Sequence, residues 1–355
     1  MGSRARKLSR GTGATLAAAL MAVAVAGCGG KSSAATGSAT SGAPVPLVVY
    51  SAQGYDKAMT TAFQKATGIP TQLVDDSTGP LLARVQAEQA SPKWGVLWVD
   101  GDEPFAALDK AGMLVKGYEP DVTLNAQGKA VVPSDKSYVP TGLTTTAAVV
   151  YDATRNPKPP TSWQDLLSPA WKGQVGMNDP SVSGPTYPFV AGVFSQLGGE
   201  SQGEDYYTKL KGNGLHVFQT NGDTLHALQT GQIRIGLIQS SAGIAAGIKN
   251  HNLKTAYLPK VTSLPSVIGI DAKASSKERA EAKRFAAWVL SPQGQQVMLS
   301  GDRNGDSLYW PVVAGVKPNP ELPALPSVPT QAIDPYTWGP QEGAINTWFT
   351  NTIVR

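Results

Sequence analysis

The chain has 355 residues, 41% of them apolar and 16% charged, with a formal net charge of +4. Arg4, Arg6, Lys7 and Arg10 account for that excess, so the rest is balanced and carries no basic block suited to nucleic acid. A single cysteine excludes internal disulfides and cysteine-built metal sites, and His216, His226 and His251 form no zinc-ligand pattern.

The basic start is followed from Ala14 to Ala26 by an almost wholly apolar run of Ala, Val, Leu and Met. A basic region, a short apolar region and small residues describe an export signal, and the run is shorter than the ~20 residues that span a bilayer. Ala26-Gly27 directly before Cys28 resembles the bacterial lipobox, in which the cysteine is acylated and becomes the new N-terminus. Residues 1–28 are therefore expected to be a lipoprotein signal peptide, with lipidation at Cys28. The mature protein is expected outside the cytoplasmic membrane, anchored through its N-terminal lipid only. Residues 29–44, rich in Gly, Ser, Ala and Thr, read as a flexible linker.

A strand–turn–helix alternation then begins. Leu47–Tyr50 reads as a buried strand, Asp56–Thr67 as a helix closed by Gly68-Ile69-Pro70, and Thr71–Val74 as a second strand. Pro80–Gln89 follows as a helix, Val96–Val99 as a third strand, and Glu103–Ala111 as a third helix. This order predicts a mostly parallel sheet covered by helices. After a Thr-rich passage, Thr141–Val150, the same grammar returns. Strands are expected at Gln174–Met177, Val217-Phe218, Ile233–Ile238 and Ser266–Ile270. Helices are expected at Thr186–Leu197, Gln202–Lys211, after Asn221 to Gln229, after Ser241 to Asn250, Ser276–Leu290, Ser291–Ser300 and Glu342–Thr352.

In open α/β sheets ligands lie beyond the carboxyl ends of the strands. The turns there are Ser51-Ala52-Gln53, Ser77-Thr78-Gly79, Asp100-Gly101-Asp102, Ser183-Gly184-Pro185-Thr186 and Gln239-Ser240-Ser241. Hydroxyls and N–H groups at helix N-termini suit anionic oxygens, and each hydroxyl could equally cap its own helix.

The order of elements resembles the solute-binding receptors of ABC importers, in the branch containing ferric-ion-binding and phosphonate-binding receptors. The likeness runs from about Leu47 to Val312 and rests on Val48-Val49-Tyr50-Ser51, Ala66-Thr67-Gly68-Ile69, Ser77-Thr78-Gly79 with Leu82-Ala83-Arg84, and Ala111-Gly112-Met113-Leu114. It continues in Pro160–Leu167, Pro169-Ala170-Trp171-Lys172-Gly173 and Leu290–Gln295. It implies a two-lobed, type II periplasmic-binding-protein-like α/β fold, with two crossover hinge strands and a ligand cleft between the lobes. It also implies delivery of the solute to an ABC permease in the cytoplasmic membrane. On this reading residues 45–145 form lobe 1, 146–262 lobe 2, 263–310 a return to lobe 1, and 311–355 a C-terminal segment packing on lobe 2. The hinge is expected at Thr144–Ala147 and Leu264–Val267.

Ferric receptors resemble one another in a His after the first strand, a Glu after the third, and a Tyr pair after the strand matching Ile233–Ile238. Gly54, Asp100, Ser241 and Ala242 stand at those positions, so most of the hard anionic ligands that iron needs are missing. Tyr206-Tyr207 falls in a helix, where packing explains it. The expected solute is a small anion or zwitterion, a phosphonate or phosphate ester first, with a neutral polar molecule left open and ferric iron the alternative if a bound anion supplied the missing ligands. Ser51, Ser77, Thr78, Ser183, Gly184, Thr186, Ser240 and Ser241 are the candidate donors. Asp100 or Asp102 would face an amine or hydroxyl, and Tyr187 would close over the organic part. No cofactor or metal is called for, and the protein is expected to be a monomer without catalytic activity.

Two patterns near the C-terminus imitate catalysis. Gly305-Asp306-Ser307-Leu308 matches a serine-hydrolase signature, but every histidine lies upstream and no Gly-x-Ser-x-Gly elbow occurs. Asp302, Asn304 and Asp306 imitate a calcium loop, which Ser307 and Val313 break at its sixth and twelfth positions.

Overall fold

The computed structural model describes residues 46–156, 158–301 and 308–355. The lipobox cysteine Cys28, the linker, Ser307 and the calcium-like residues Asp302, Asn304 and Asp306 lie outside the described residues.

Two sheets organise the chain. The first contains β1 (Leu47–Ser51), β2 (Thr71–Asp75), β3 (Val96–Asp100), β4 (Tyr138–Thr145) and, later in the chain, a long strand at Val261–Ile270. The second contains β5 (Ala148–Asp152), β6 (Val175–Asn178), β7 (His216–Phe218), β8 (Ile235–Ile238) and β9 (Leu253–Ala256). The long strand is β10, and the short β11 (Thr330–Gln331) pairs in parallel with its start. The fold is thus α/β with two lobes, each built on one sheet.

Both sheets are mixed, and this corrects the expectation of a mostly parallel sheet. β1 runs parallel to β2 and β3, but β10 is antiparallel to β3 and β4. In lobe 2, β6 is parallel to β7 and β8, while β5 is antiparallel to β8 and β9. The antiparallel strands are those on which the chain changes lobe. It leaves the first sheet between Thr145 and Ala148, and re-enters it between Ala256 and Val261. The second crossing therefore precedes Leu264–Val267, where it was expected. Those residues already sit inside β10, with Leu264 opposite Thr144 and Val267 opposite Val99.

Buried strands carry apolar side chains on both faces because helices cover both faces. Along β3, Trp98 joins Phe63 and Phe285 on one side, while Leu97 and Val99 join Tyr50 and Phe105 on the other. The Trp98 indole donates to Thr141 and Ser266 hydroxyls at 3.1 and 3.0 Å, so its buried N–H is satisfied. Local signals set the helix ends. Gly68 stops helix Asp56–Thr67 in the left-handed region at φ 73°, its N–H returning to Gln64. Ser291 caps helix Pro292–Ser300 at Gly294 N–H, with Pro292 in the first turn.

The C-terminal segment serves both lobes. Val312, Leu322 and Val328 lie in the core of lobe 1, and Ile345, Phe349 and Ile353 in that of lobe 2. Between them the Tyr336 hydroxyl donates to Asp109 of lobe 1 at 2.8 Å, and Tyr187 of lobe 2 donates to the Trp338 carbonyl at 2.5 Å. No helix among the described residues is long and apolar enough to cross a membrane.

Candidate functional site

A cleft of about 140 Å³ lies between the lobes. Lobe 1 supplies Ala52, Ser77, Thr78 and Asp100 from the ends of β1, β2 and β3. Lobe 2 supplies Val182–Pro185 after β6, Gln219–Asn221 after β7, and Gln239 after β8. Tyr309, from the chain's return to lobe 1, completes it.

The floor is a hydrogen-bonded row that crosses the lobes. Gln53 Nε2 donates to Asp100 Oδ1 at 3.0 Å, and the Tyr309 hydroxyl donates to Asp100 Oδ2 at 2.8 Å. Gln239 Nε2 of lobe 2 then donates to the Tyr309 oxygen at 2.9 Å. The rim is closed by a second link, Gly79 N–H to the Val182 carbonyl at 3.1 Å. A Cβ on Gly184 would stand 2.3 Å from Thr78 Oγ1, so the lobes touch too closely here for any side chain.

Helix starts surround this space. Ser77 precedes helix Thr78–Ala87, Pro185 precedes Thr186–Leu197, Thr220 precedes Asn221–Thr230 and Gln239 precedes Ser240–Lys249. Thr220 caps its own helix through a reciprocal box with Asp223. Ser77 does not: its side chain makes no capping bond, so its hydroxyl is not used up by the helix. Ser183 Oγ accepts from Asn178 Nδ2 at 3.2 Å and keeps its proton to donate. Asn221 accepts from Asn178 at 2.7 Å, which turns its amide N–H₂ into the group left for a ligand. No Lys, Arg or His is among the described residues lining the cleft.

Of the residues expected to bind solute, Ser77, Thr78, Asp100, Ser183 and Gly184 line the cleft together. The others lie elsewhere. Ser51 is fully buried and accepts from the N–H of Gln53, because as the last residue of β1 it is still paired with both neighbouring strands. Ser240 bonds Thr144 Oγ1 at 2.9 Å, beside the first crossing, and Ser241 is buried with no hydrogen-bond partner. Thr186 is buried, and Tyr187 packs in the core of lobe 2 and reaches the Trp338 carbonyl. Asp102 lines a different cavity. Gln53, Asn221, Gln239 and Tyr309 were missed. Gln53 and Gln239 stand in turns already picked out by the strand–turn–helix grammar and Asn221 at the start of an expected helix, and their amides were the available signal. Tyr309 had no such signal.

Tyr206 and Tyr207 pack in lobe 2, with Tyr206 donating to the Trp163 carbonyl at 2.8 Å and Tyr207 fully buried. Neither reaches the cleft. Among the described residues no group of three or more His, Cys, Asp or Glu is placed to hold a metal ion.

Comparison with known proteins agrees with this architecture. The chain is 26% identical over 320 residues to an Fe(3+)-binding periplasmic protein of Serratia marcescens, covering 84% of this chain and 88% of that one. It is 24% identical over 302 residues to a putative 2-aminoethylphosphonate-binding periplasmic protein of Salmonella typhimurium, covering 81% and 85%. Among solved structures, AfuA from Actinobacillus pleuropneumoniae, with exogenous fructose-6-phosphate bound, superposes with a TM-score of 0.76 at 18% identity, over 87% of this chain and 98% of that one. Iron-bound HitA from Pseudomonas aeruginosa superposes with a TM-score of 0.72 at 23% identity, over 86% and 99%. The model of the bacterial extracellular solute-binding protein family matches residues 58–330, and the chain belongs to that family.

Proposed function

We propose that the protein is the receptor of an ABC importer, lipid-anchored at Cys28, and that its solute is a small anion or zwitterion, a phosphonate or phosphate ester. The receptor binds reversibly, performs no chemistry on the solute, and hands it to a permease. The observation carrying this reading is the meeting of helix N-termini and uncommitted donors in one small cleft, with no cation among the described lining residues. N-terminal N–H groups and helix dipoles stabilise an oxyanion without a side-chain charge. Ser77, Thr78, Ser183 and Asn221 would donate to its oxygens, and Asp100 on the floor would face an ammonium. The cleft is smaller than the 300–1,000 Å³ usual for drug-sized ligands, which fits a headgroup with a short organic part.

The relatives' names point in two directions, to phosphonate or sugar phosphate and to iron. The cleft favours the first, since Asp100 and the Tyr309 phenol are the anionic or potentially anionic oxygen groups at its described walls. Isothermal titration of the protein with 2-aminoethylphosphonate, glycerol phosphate and ferric citrate tests the reading. Binding of either phosphorus compound supports it. Binding of ferric citrate alone overturns it.

A further inference from the structure

A second and larger cavity, about 690 Å³, shares no lining residue with the solute cleft. One wall is lobe 1: the start of helix Glu103–Lys110, the helix Ala126–Val131 and the strands β4 and β10. The opposite wall is the C-terminal segment from Leu325 to Tyr336. Most of the lining is apolar, with Val131, Val328 and Ile333 as examples, but it includes the adjacent acids Asp102 and Glu103. Glu103 is 2% exposed, and its Oε2 has no hydrogen-bond partner. Asp102 precedes the helix yet makes no side-chain capping bond, so capping does not account for it. Neither carboxylate takes part in an ion pair, and no Lys, Arg or His is among the described lining residues. A buried carboxylate left without a cation is costly, and a mostly apolar pocket of this size with a few polar groups in its lining has the form of a small-molecule site.

We propose that this cavity is a second binding site, for a small organic cation whose ammonium is held by Asp102 and Glu103 and whose apolar body lies against Val131, Val328 and Ile333. The charge is complementary and the lining amphipathic: two adjacent acids, mostly apolar walls and no base among the described lining residues. The groups facing the two carboxyls are all acidic or phenolic. Asp334 of the C-terminal segment lies near Asp102, Glu342 and Tyr187 near Glu103, and Tyr138 near both. Lys110 does not line the cavity; its ammonium is engaged by the Tyr336 carbonyl at 2.5 Å. Burial raises the Asp102 carboxyl to about 7 and lifts Glu103 above the ordinary carboxyl range, with the neighbouring acids adding to both. At neutral pH an incoming ammonium would therefore displace a proton as it binds.

The probes are 2-phenylethylamine and hexylamine, with hexanoate as the anionic control. Their effect on unfolding temperature is measured in the wild type, Asp102→Asn and Glu103→Gln. Calorimetry at pH 7 in two buffers of different ionisation enthalpy counts the protons released. The site predicts stabilisation by both amines, release of protons on binding, and at least tenfold weaker binding in each variant. It also predicts that Ser183→Ala, a change in the solute cleft, leaves the amine response unchanged. Asp102 is half-buried, so Asp102→Asn serves if Glu103→Gln does not fold. No stabilisation at millimolar amine, equal stabilisation by hexanoate, or an amine response unaffected by Asp102→Asn would overturn the proposal. Loss of the amine response in Ser183→Ala instead would place the amine in the solute cleft and overturn it too.

Discussion

The phenol of Tyr309 donates to the carboxylate of Asp100 across 2.8 Å, and this bond is the middle of the row that ties the two lobes together beneath the solute cleft. An ionised carboxylate makes such a bond charge-assisted, and because both groups are buried it is poorly replaced by water. Tyr309→Phe removes the donor to Asp100 and the acceptor for Gln239 at once. A hydrogen bond to a charged group contributes about 1.5–3 kcal/mol, so solute affinity should fall about tenfold or more. Titration calorimetry with the bound solute reads this. Unchanged affinity would mean that the row does not support the closed cleft.

Gly184 and Thr78 meet across the rim. A methyl at Gly184 would press on Thr78 at 2.3 Å from its hydroxyl and 2.8 Å from its Cβ. Gly184→Ala should therefore hold the lobes apart without disturbing either core, with overpacking of this kind costing about 1–3 kcal/mol. The expected outcome is five- to hundredfold weaker solute binding and a larger radius of gyration in solution scattering. The second change Thr78→Ala should recover part of the affinity by removing the obstacle.

The alternation of apolar runs, polar turns and amphipathic stretches made most of the architecture legible. Helices Asp56–Thr67 and Thr186–Leu197 begin and end as their Gly stops and apolar spacing predict. What stayed hidden depends on facing and pairing. Ser51 and Ser241 look like turn hydroxyls, yet one is still in register with Asp75 and the other sits in the first turn of a helix packed on β4. One residue of register decides whether a side chain meets solute or core. The direction of β10 was equally unreadable, because a run containing Pro265 gives no hint of ten paired residues. Tyr309 reaches the cleft only through tertiary return of the chain, which no local pattern announces.

The last helix belongs to the core of lobe 2. Phe349 is fully buried and its ring meets Tyr207 edge-on at 5.4 Å between centroids. Phe349→Ala should destabilise the protein by about 3–5 kcal/mol, as large-to-small changes in cores do. Urea unfolding with an unchanged m-value would show this as a lowered midpoint.

Asp56 gives the protein a pH dependence that can be signed. Its carboxyl is 2% exposed, Oδ2 has no partner, and burial raises it to about 7. The unfolded chain loses this proton near 4, while the folded chain keeps it until about 7. The stability it contributes is complete below pH 4 and is lost as pH rises toward 7, with a slope of up to about 1.4 kcal/mol per pH unit. Asp56→Asn should flatten that slope. Urea midpoints at pH 4, 5.5 and 7 decide it: an equal decline in variant and wild type would assign the dependence to other groups.

The most direct test of the solute cleft is the unfolding temperature of the lipid-free protein with and without 2-aminoethylphosphonate, in the wild type, Ser77→Ala and Ser183→Ala. At one hundred times its dissociation constant a ligand of the native state stabilises by about 2.7 kcal/mol. The cleft described here predicts that gain in the wild type. Each variant, lacking one donor to a charged oxygen, should need about ten- to hundredfold more ligand for the same gain. Stabilisation by ferric citrate but by no phosphonate or phosphate ester, or stabilisation that both serine variants retain in full, would contradict it.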